Sequence, residues 1–160
     1  MKKLPLNTVR IGLCDFYIGI WVRAYMLTWS YKYGKYGAMR ILIVDDDPYI
    51  QRALSFVLRK EGFEVETASD GREALSKAKE FKPRIIFLDL MIPKMNGFDT
   101  CRTIKSDSEL KDTYIIILTG KGQEVDKERG LGEGANEYIT KPFGPKEIVA
   151  KVRSIFQNLK

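Results

Sequence analysis

Four short segments of this 160-residue chain carry side chains that could do chemistry together: Asp45-Asp46-Asp47, Asp89, Thr119-Gly120 and Lys141-Pro142-Phe143. Each follows directly on a short apolar run. Taken singly, each has an ordinary reading. An Asp run is commonly a solvated turn, and Asp47 immediately before Pro48 suits a helix cap. Asp89 alone could be a turn residue ahead of Pro93 and Gly97, and a lone lysine is usually a surface group. Together they are three carboxylates, a hydroxyl and an ammonium. Carboxylates held close disfavour one another's ionised forms unless a cation compensates them. Oxygen donors without soft ligands select Mg²⁺, Mn²⁺ or Ca²⁺ over zinc. Opposite such an ion and beside Lys141, Asp89 can attack phosphorus and form an acyl phosphate. The metal and the lysine would neutralise the transferring group, and the Thr119 hydroxyl could bond one of its oxygens. Gly120 has no side chain to crowd that group.

Elements that bring these segments together are legible in the apolar pattern. Strands are expected at Arg40–Val44, Glu64–Ala68, Ile85–Leu88, Tyr114–Leu118 and Glu137–Thr140. Ile85-Ile86-Phe87-Leu88 and Tyr114-Ile115-Ile116-Ile117-Leu118 are apolar without alternation, as in parallel strands buried on both faces. Helices are expected at 48–61, 71–80, 97–106, 123–133 and 145–158. The first places Ile50, Leu54, Val57 and Leu58 on one face, opens with Asp47 and Pro48, and stops at Gly62. The last begins at Pro145 and aligns Ile148, Val149, Val152, Ile155 and Phe156. Five strand-then-helix units predict an α/β fold with a parallel sheet and helices on both faces. Such folds place their chemistry outside the carboxyl ends of the strands, where all four segments fall.

Composition narrows the chemistry further. The chain is 44% hydrophobic and 30% charged, ordinary for a globular protein of one domain. Its net charge of +6 is uneven: residues 1–38 carry six Lys/Arg and one acid, and the remainder 21 basic and 20 acidic residues. The body therefore has no broad basic footprint for nucleic acid. Two cysteines, Cys14 and Cys101, make no disulfide framework and suit a reducing cytosol. The absence of histidine excludes Ser–His–Asp and Cys–His nucleophile systems.

The motifs ILIVDDDP, FLDLMIPKMNG, IIILTGKG and ANEYITKPF, in this order and spacing, resemble the response-regulator receiver family from Met39 to about Gln157. The resemblance implies a doubly wound, five-stranded, CheY-like (flavodoxin-like) fold with strand order 2-1-3-4-5. It implies Asp45 and Asp46 as the acidic pair at Mg²⁺ (with Mn²⁺ able to substitute), Asp89 as phosphoacceptor, and Met91 as the residue whose backbone carbonyl completes the metal shell. It also implies Thr119 and Lys141 as the switch hydroxyl and phosphate-binding lysine, Tyr138 as an aromatic switch, and a cis Lys141–Pro142 bond. Activation in the family shifts the face formed by the fourth helix, fifth strand and fifth helix. The donor is a phosphohistidine on a sensor kinase or phosphotransfer protein; with no histidine, this chain cannot be its own donor. No independent turnover enzyme is expected, only a domain that assists its own phosphorylation and dephosphorylation.

Two further expectations concern the ends of the sequence. The chain stops just after the final helix, from which no direct DNA binding is expected and the output is a downstream protein effector. A phosphorylation-independent adaptor built on the same fold is the alternative. Residues 1–38 have no counterpart in the family. They read as an extension from an upstream start, with Met39 the functional beginning of a receiver at 39–160. An ordered appendage or a membrane-surface segment are the other readings. Ile11 to Trp29 contains Asp15 and Arg23, each costly at a bilayer centre. A cytoplasmic protein is expected.

Overall fold

The computed structural model describes residues 39–120 and 130–158. Five strands, β1 (Arg40–Val44), β2 (Glu64–Ala68), β3 (Ile85–Asp89), β4 (Tyr114–Thr119) and β5 (Glu137–Thr140), form one parallel sheet in the order β2-β1-β3-β4-β5. Four helices are described in full: α1 (Pro48–Lys60), α2 (Gly71–Phe81), α3 (Gly97–Ser106) and α4 (Pro145–Asn158). Residues 130–132 are also helical. They are the end of the segment expected at 123–133, most of which lies outside the described residues, as does all of 1–38.

Burial on both faces explains the unalternating strands. Leu42, Val44, Ile86, Leu88, Ile115 and Ile117 join Ala74 and Ala78 of α2 and Phe98, Cys101 and Ile104 of α3 in one core cluster. Ile41, Ile43, Ile85, Phe87, Ile116 and Leu118 join Leu54 and Leu58 of α1 and Ile148, Val152, Ile155 and Phe156 of α4 in the other. Successive strand residues thus go to opposite clusters, and each such burial contributes about 1.5–3 kcal/mol. Phe63 and Phe156 stack with centroids 5.7 Å apart.

Polar caps start the helices where the apolar pattern begins. Asp47 Oδ1 accepts from Tyr49 N at 2.8 Å, Asp70 Oδ1 from Glu73 N at 2.9 Å, and Asn96 Oδ1 from Asp99 N at 2.9 Å. The cap expected at Asp47 is present, and α1 stops at Lys60, one residue short of the expected end. β3 and β4 each run one residue beyond the expected boundary, taking in Asp89 and Thr119 themselves.

The strand order fixes where a site can form. From β1 the chain goes to β2 on one side and returns to β3 on the other, so a crevice opens between the carboxyl ends of β1 and β3. Val44 pairs with Leu88, so Asp45 and Asp89, the next residue on each strand, lie side by side there.

Candidate phosphoacceptor and metal site

Asp45, Asp46 and Asp89 each place a carboxylate oxygen within 4.8 Å of the others. Asp45 is fully buried, Asp89 is 9% exposed, and Asp46 faces solvent. Asp45 Oδ1 accepts from Asp47 N at 2.9 Å, and Asp89 Oδ1 from Met91 N at 2.9 Å. The other oxygen of each carboxylate turns to the ammonium of Lys141. Nζ donates to Asp45 Oδ2 at 2.7 Å and also to Asp89 Oδ2. Gln51 Nε2, one turn into α1, donates to the carbonyl oxygens of Asp45 at 2.6 Å and Ala68 at 3.1 Å, tying the β1 and β2 ends together.

The electrostatics follow from this packing. Burial pushes the Asp45 carboxyl above the usual carboxylate range, against the opposing pull of the Lys141 hydrogen bond. Burial also works against the Lys141 ammonium, but its bonds to Asp45 and Asp89 outweigh that and hold its pKa above the ordinary lysine value. One ammonium faces three carboxylates at this edge, so a net negative charge is left for a cation. The ligand set is all oxygen and fits a hard divalent ion such as Mg²⁺.

Thr119 sits at the end of β4 with 1% exposure, and its Oγ1 is buried with no hydrogen-bond partner. An unmet buried hydroxyl costs about 1–3 kcal/mol and calls for a reason. Lys141 N donates to the Thr119 carbonyl at 2.6 Å, so the strand end carrying the hydroxyl and the segment carrying the ammonium are joined. The Lys141–Pro142 peptide is cis. Met91 is 71% exposed, its backbone lying next to Asp89 in the loop after β3, and Tyr138 on β5 is 41% exposed. The structure therefore gathers Asp45, Asp46, Asp89 and Lys141 in one cluster, with Thr119 and Met91 at its margin. Tyr138 stands apart on the surface side of β5.

A pairing of two residues beside the site was not anticipated. Asp70 caps α2 and is 3% exposed, and Lys94 Nζ lies 2.5 Å from its Oδ2. A sequence signal existed for the first: Asp70 stands three residues before Glu73, whose carboxylate accepts from Ser69 N and Oγ at 2.8 and 2.9 Å, as in a capping pair.

The chain matches the response regulator receiver domain model over residues 41–153 and belongs to that family. It is 48% identical over 115 residues to the DNA-binding response regulator MtrA of Mycolicibacterium smegmatis, covering 72% of this chain and 49% of that protein. It is 43% identical over 118 residues to the alkaline phosphatase synthesis transcriptional regulatory protein PhoP of Bacillus subtilis, covering 74% and 48%. The chemotaxis response regulator CheY4 of Vibrio cholerae superposes with a TM-score of 0.69 at 35% identity, over 72% of this chain and 97% of that one. The expected doubly wound, CheY-like fold and two-component class are therefore correct.

One expectation is overturned. No direct DNA binding was expected, because the sequence stops soon after α4. Yet relatives at 48% identity are named DNA-binding response regulators, and this chain spans about half the length of the curated relatives it matches. The inference failed because the charge and length of a receiver carry no information about the output it governs. Among the described residues no helix is long and apolar enough to cross a membrane.

Proposed function

We propose that the domain accepts a phosphoryl group on Asp89 from the phosphohistidine of a sensor kinase or phosphotransfer protein, in the cytoplasm, and thereby controls a regulator of the kind its DNA-binding relatives are named for. The observation that carries this reading is the buried Asp89 carboxylate, bonded to Lys141, grouped with Asp45 and Asp46, and flanked by a buried threonine hydroxyl with no partner.

Asp45, Asp46, Asp89 and the backbone carbonyl of Met91 would hold Mg²⁺, with Mn²⁺ able to substitute; when bound, the ion supplies positive charge that offsets the charge on the transferring group. An Asp89 oxygen forms the new bond to phosphorus as the bond to the donor nitrogen breaks, and the freed imidazole takes up a proton. Lys141 already contacts Asp89 and follows the phosphoryl charge without crossing solvent. Thr119 gains a partner for its hydroxyl when a phosphoryl oxygen arrives. Its movement toward that oxygen opens room for Tyr138 to turn in from the surface, shifting the population of the β5 face and the helices flanking it. Hydrolysis of the acyl phosphate resets the domain, which has no other turnover of its own. A scaffold that never takes phosphate would leave the buried acids and the partnerless hydroxyl without a purpose.

Asp89→Asn is expected to abolish Mg²⁺-dependent labelling by acetyl phosphate, measured by intact mass and peptide mapping. Labelling retained at another residue would overturn the assignment.

A further inference from the structure

We propose that the N-terminal end of α2 is a buttress for the loop after Asp89, and that Lys94 and Asp70 are positioning residues for the metal-binding backbone at Met91. The inference rests on the phosphoacceptor reading above and adds to it a device that reading does not use.

Residues 90–96 connect Asp89 to α3. Leu90 and Ile92 are buried and Met91 between them is exposed, so the loop is pinned on both sides of the residue whose N–H donates to Asp89 Oδ1. Its far end is fixed at Gly97, whose N donates to Leu90 O at 3.0 Å and where a Cβ would lie 2.4 Å from Asp89 O. The stretch between, Pro93 to Met95, rests on α2. A Cβ on Gly71, the first residue of α2, would lie 2.4 Å from Met95 O and 2.3 Å from Thr100 Oγ1, so the loop backbone abuts the helix start directly.

Lys94 completes the attachment in a way that needs explaining. Among the described residues, Lys82 and Lys94 alone are non-glycine residues with positive φ. Lys82 is the left-handed cap at the end of α2, a position where that conformation is common. Lys94, at φ 62, ends no helix, and a lysine there is uncommon. What the conformation achieves is the ion pair: Nζ reaches Asp70 Oδ2 at 2.5 Å. The Asp70 side chain is nearly buried, and its other oxygen is already used on Glu73 N. A buried carboxylate needs a counter-charge, so the loop supplies from its middle the cation that the helix cap requires. Loop and helix start are thus bound together next to the residue whose carbonyl must meet the metal. Mg²⁺ demands near-ideal ligand placement, and outer partners of metal ligands commonly set affinity.

Two variants separate the strap from the fold. Lys94→Gly removes the ion pair while suiting the positive φ; Asp70→Asn removes the charge while keeping an equally good cap. Mg²⁺ is titrated into the full chain and followed at the amide resonances of Asp89 and Met91. Both variants are expected to weaken Mg²⁺ binding about ten-fold, with acetyl phosphate labelling returning toward the wild-type rate at saturating Mg²⁺. Lys94→Arg is expected to restore affinity. Glu73→Gln, which loosens the start of α2 without touching the strap, is expected to leave it unchanged. Wild-type affinity in Lys94→Gly and Asp70→Asn, or an equal loss in Glu73→Gln, overturns the positioning role while leaving the phosphoacceptor reading standing. A wild-type chain that takes up no Mg²⁺ overturns both.

Discussion

Two half-buried lysines lie at opposite ends of the sheet. At the carboxyl end, Lys141 faces the carboxylates of Asp45 and Asp89. At the amino end, Lys105 Nζ faces neutral oxygens: Thr113 O at 2.8 Å, Asn136 Oδ1 at 2.9 Å and Lys111 O at 3.3 Å. Burial lowers the Lys105 pKa, whereas the Lys141 pKa is raised because its charged partners outweigh burial. Dipoles alone only solvate an ammonium; they pin the turn before β4, where Asn136 Oδ1 also accepts from Ile115 N at 2.9 Å. Carboxylates pair with the charge, and the phosphoryl group proposed above would compete with them for it. The polar groups around Lys105 answer one another, whereas at the carboxyl end the Thr119 hydroxyl has no partner.

The largest expected effect separates these two lysines by function. Lys141→Met should slow acetyl phosphate labelling by about 100-fold or more, the usual cost of losing one preorganised charge-stabilising group. Lys105→Met should leave the labelling rate at the wild-type value; if it slows labelling comparably, the distinction fails. The next effect is on stability. Lys105→Met removes the hydrogen bonds of its ammonium, of which only the one to the Thr113 carbonyl is partly buried, and should cost about 1 kcal/mol in urea unfolding, read from the transition midpoint. The smallest is a difference in sign at high pH. Lys141, with its folded pKa raised, contributes stability that is complete below the unfolded value near 10.5 and is lost as pH climbs through the folded pKa. Lys105, with its folded pKa lowered, does the reverse: its ionisation opposes folding at neutral pH, and that opposition is relieved as pH rises toward 10.5. In metal-free protein, unfolding free energies from pH 9 to 11 should therefore fall less steeply in Lys141→Met than in wild type, and more steeply in Lys105→Met. Parallel profiles would refute the opposed roles.

Much of this was legible in the sequence because it is local. Short apolar runs rich in β-branched residues, such as Tyr114–Leu118, suit strands covered on both faces, and Asp89 directly after such a run falls at a strand end. Once five strand–helix units were recognised, the convergence of those ends followed. What was not legible depends on pairing across distance. The Lys94–Asp70 strap joins loops 24 residues apart, and neither periodicity nor propensity points one at the other. The partnerless Thr119 hydroxyl is a property of packing, and a Thr at a strand end reads the same whether satisfied or not. That relatives of this chain are DNA-binding regulators was missed for a different reason, since nothing in a receiver's own residues encodes its output.

The two core clusters also differ in when they can close during synthesis. The cluster under α2 and α3 draws its last member from Ala135, whereas the one under α1 takes Ile41 near its start and Phe156 near its finish. A chain emerging from the ribosome amino end first can therefore complete one side of its sheet while the other, covered by α1 alone, stays incomplete until the last helix is out. The part of that face that awaits Ile148, Val152, Ile155 and Phe156 is where a nascent chain of this kind is open to chaperones and to aggregation.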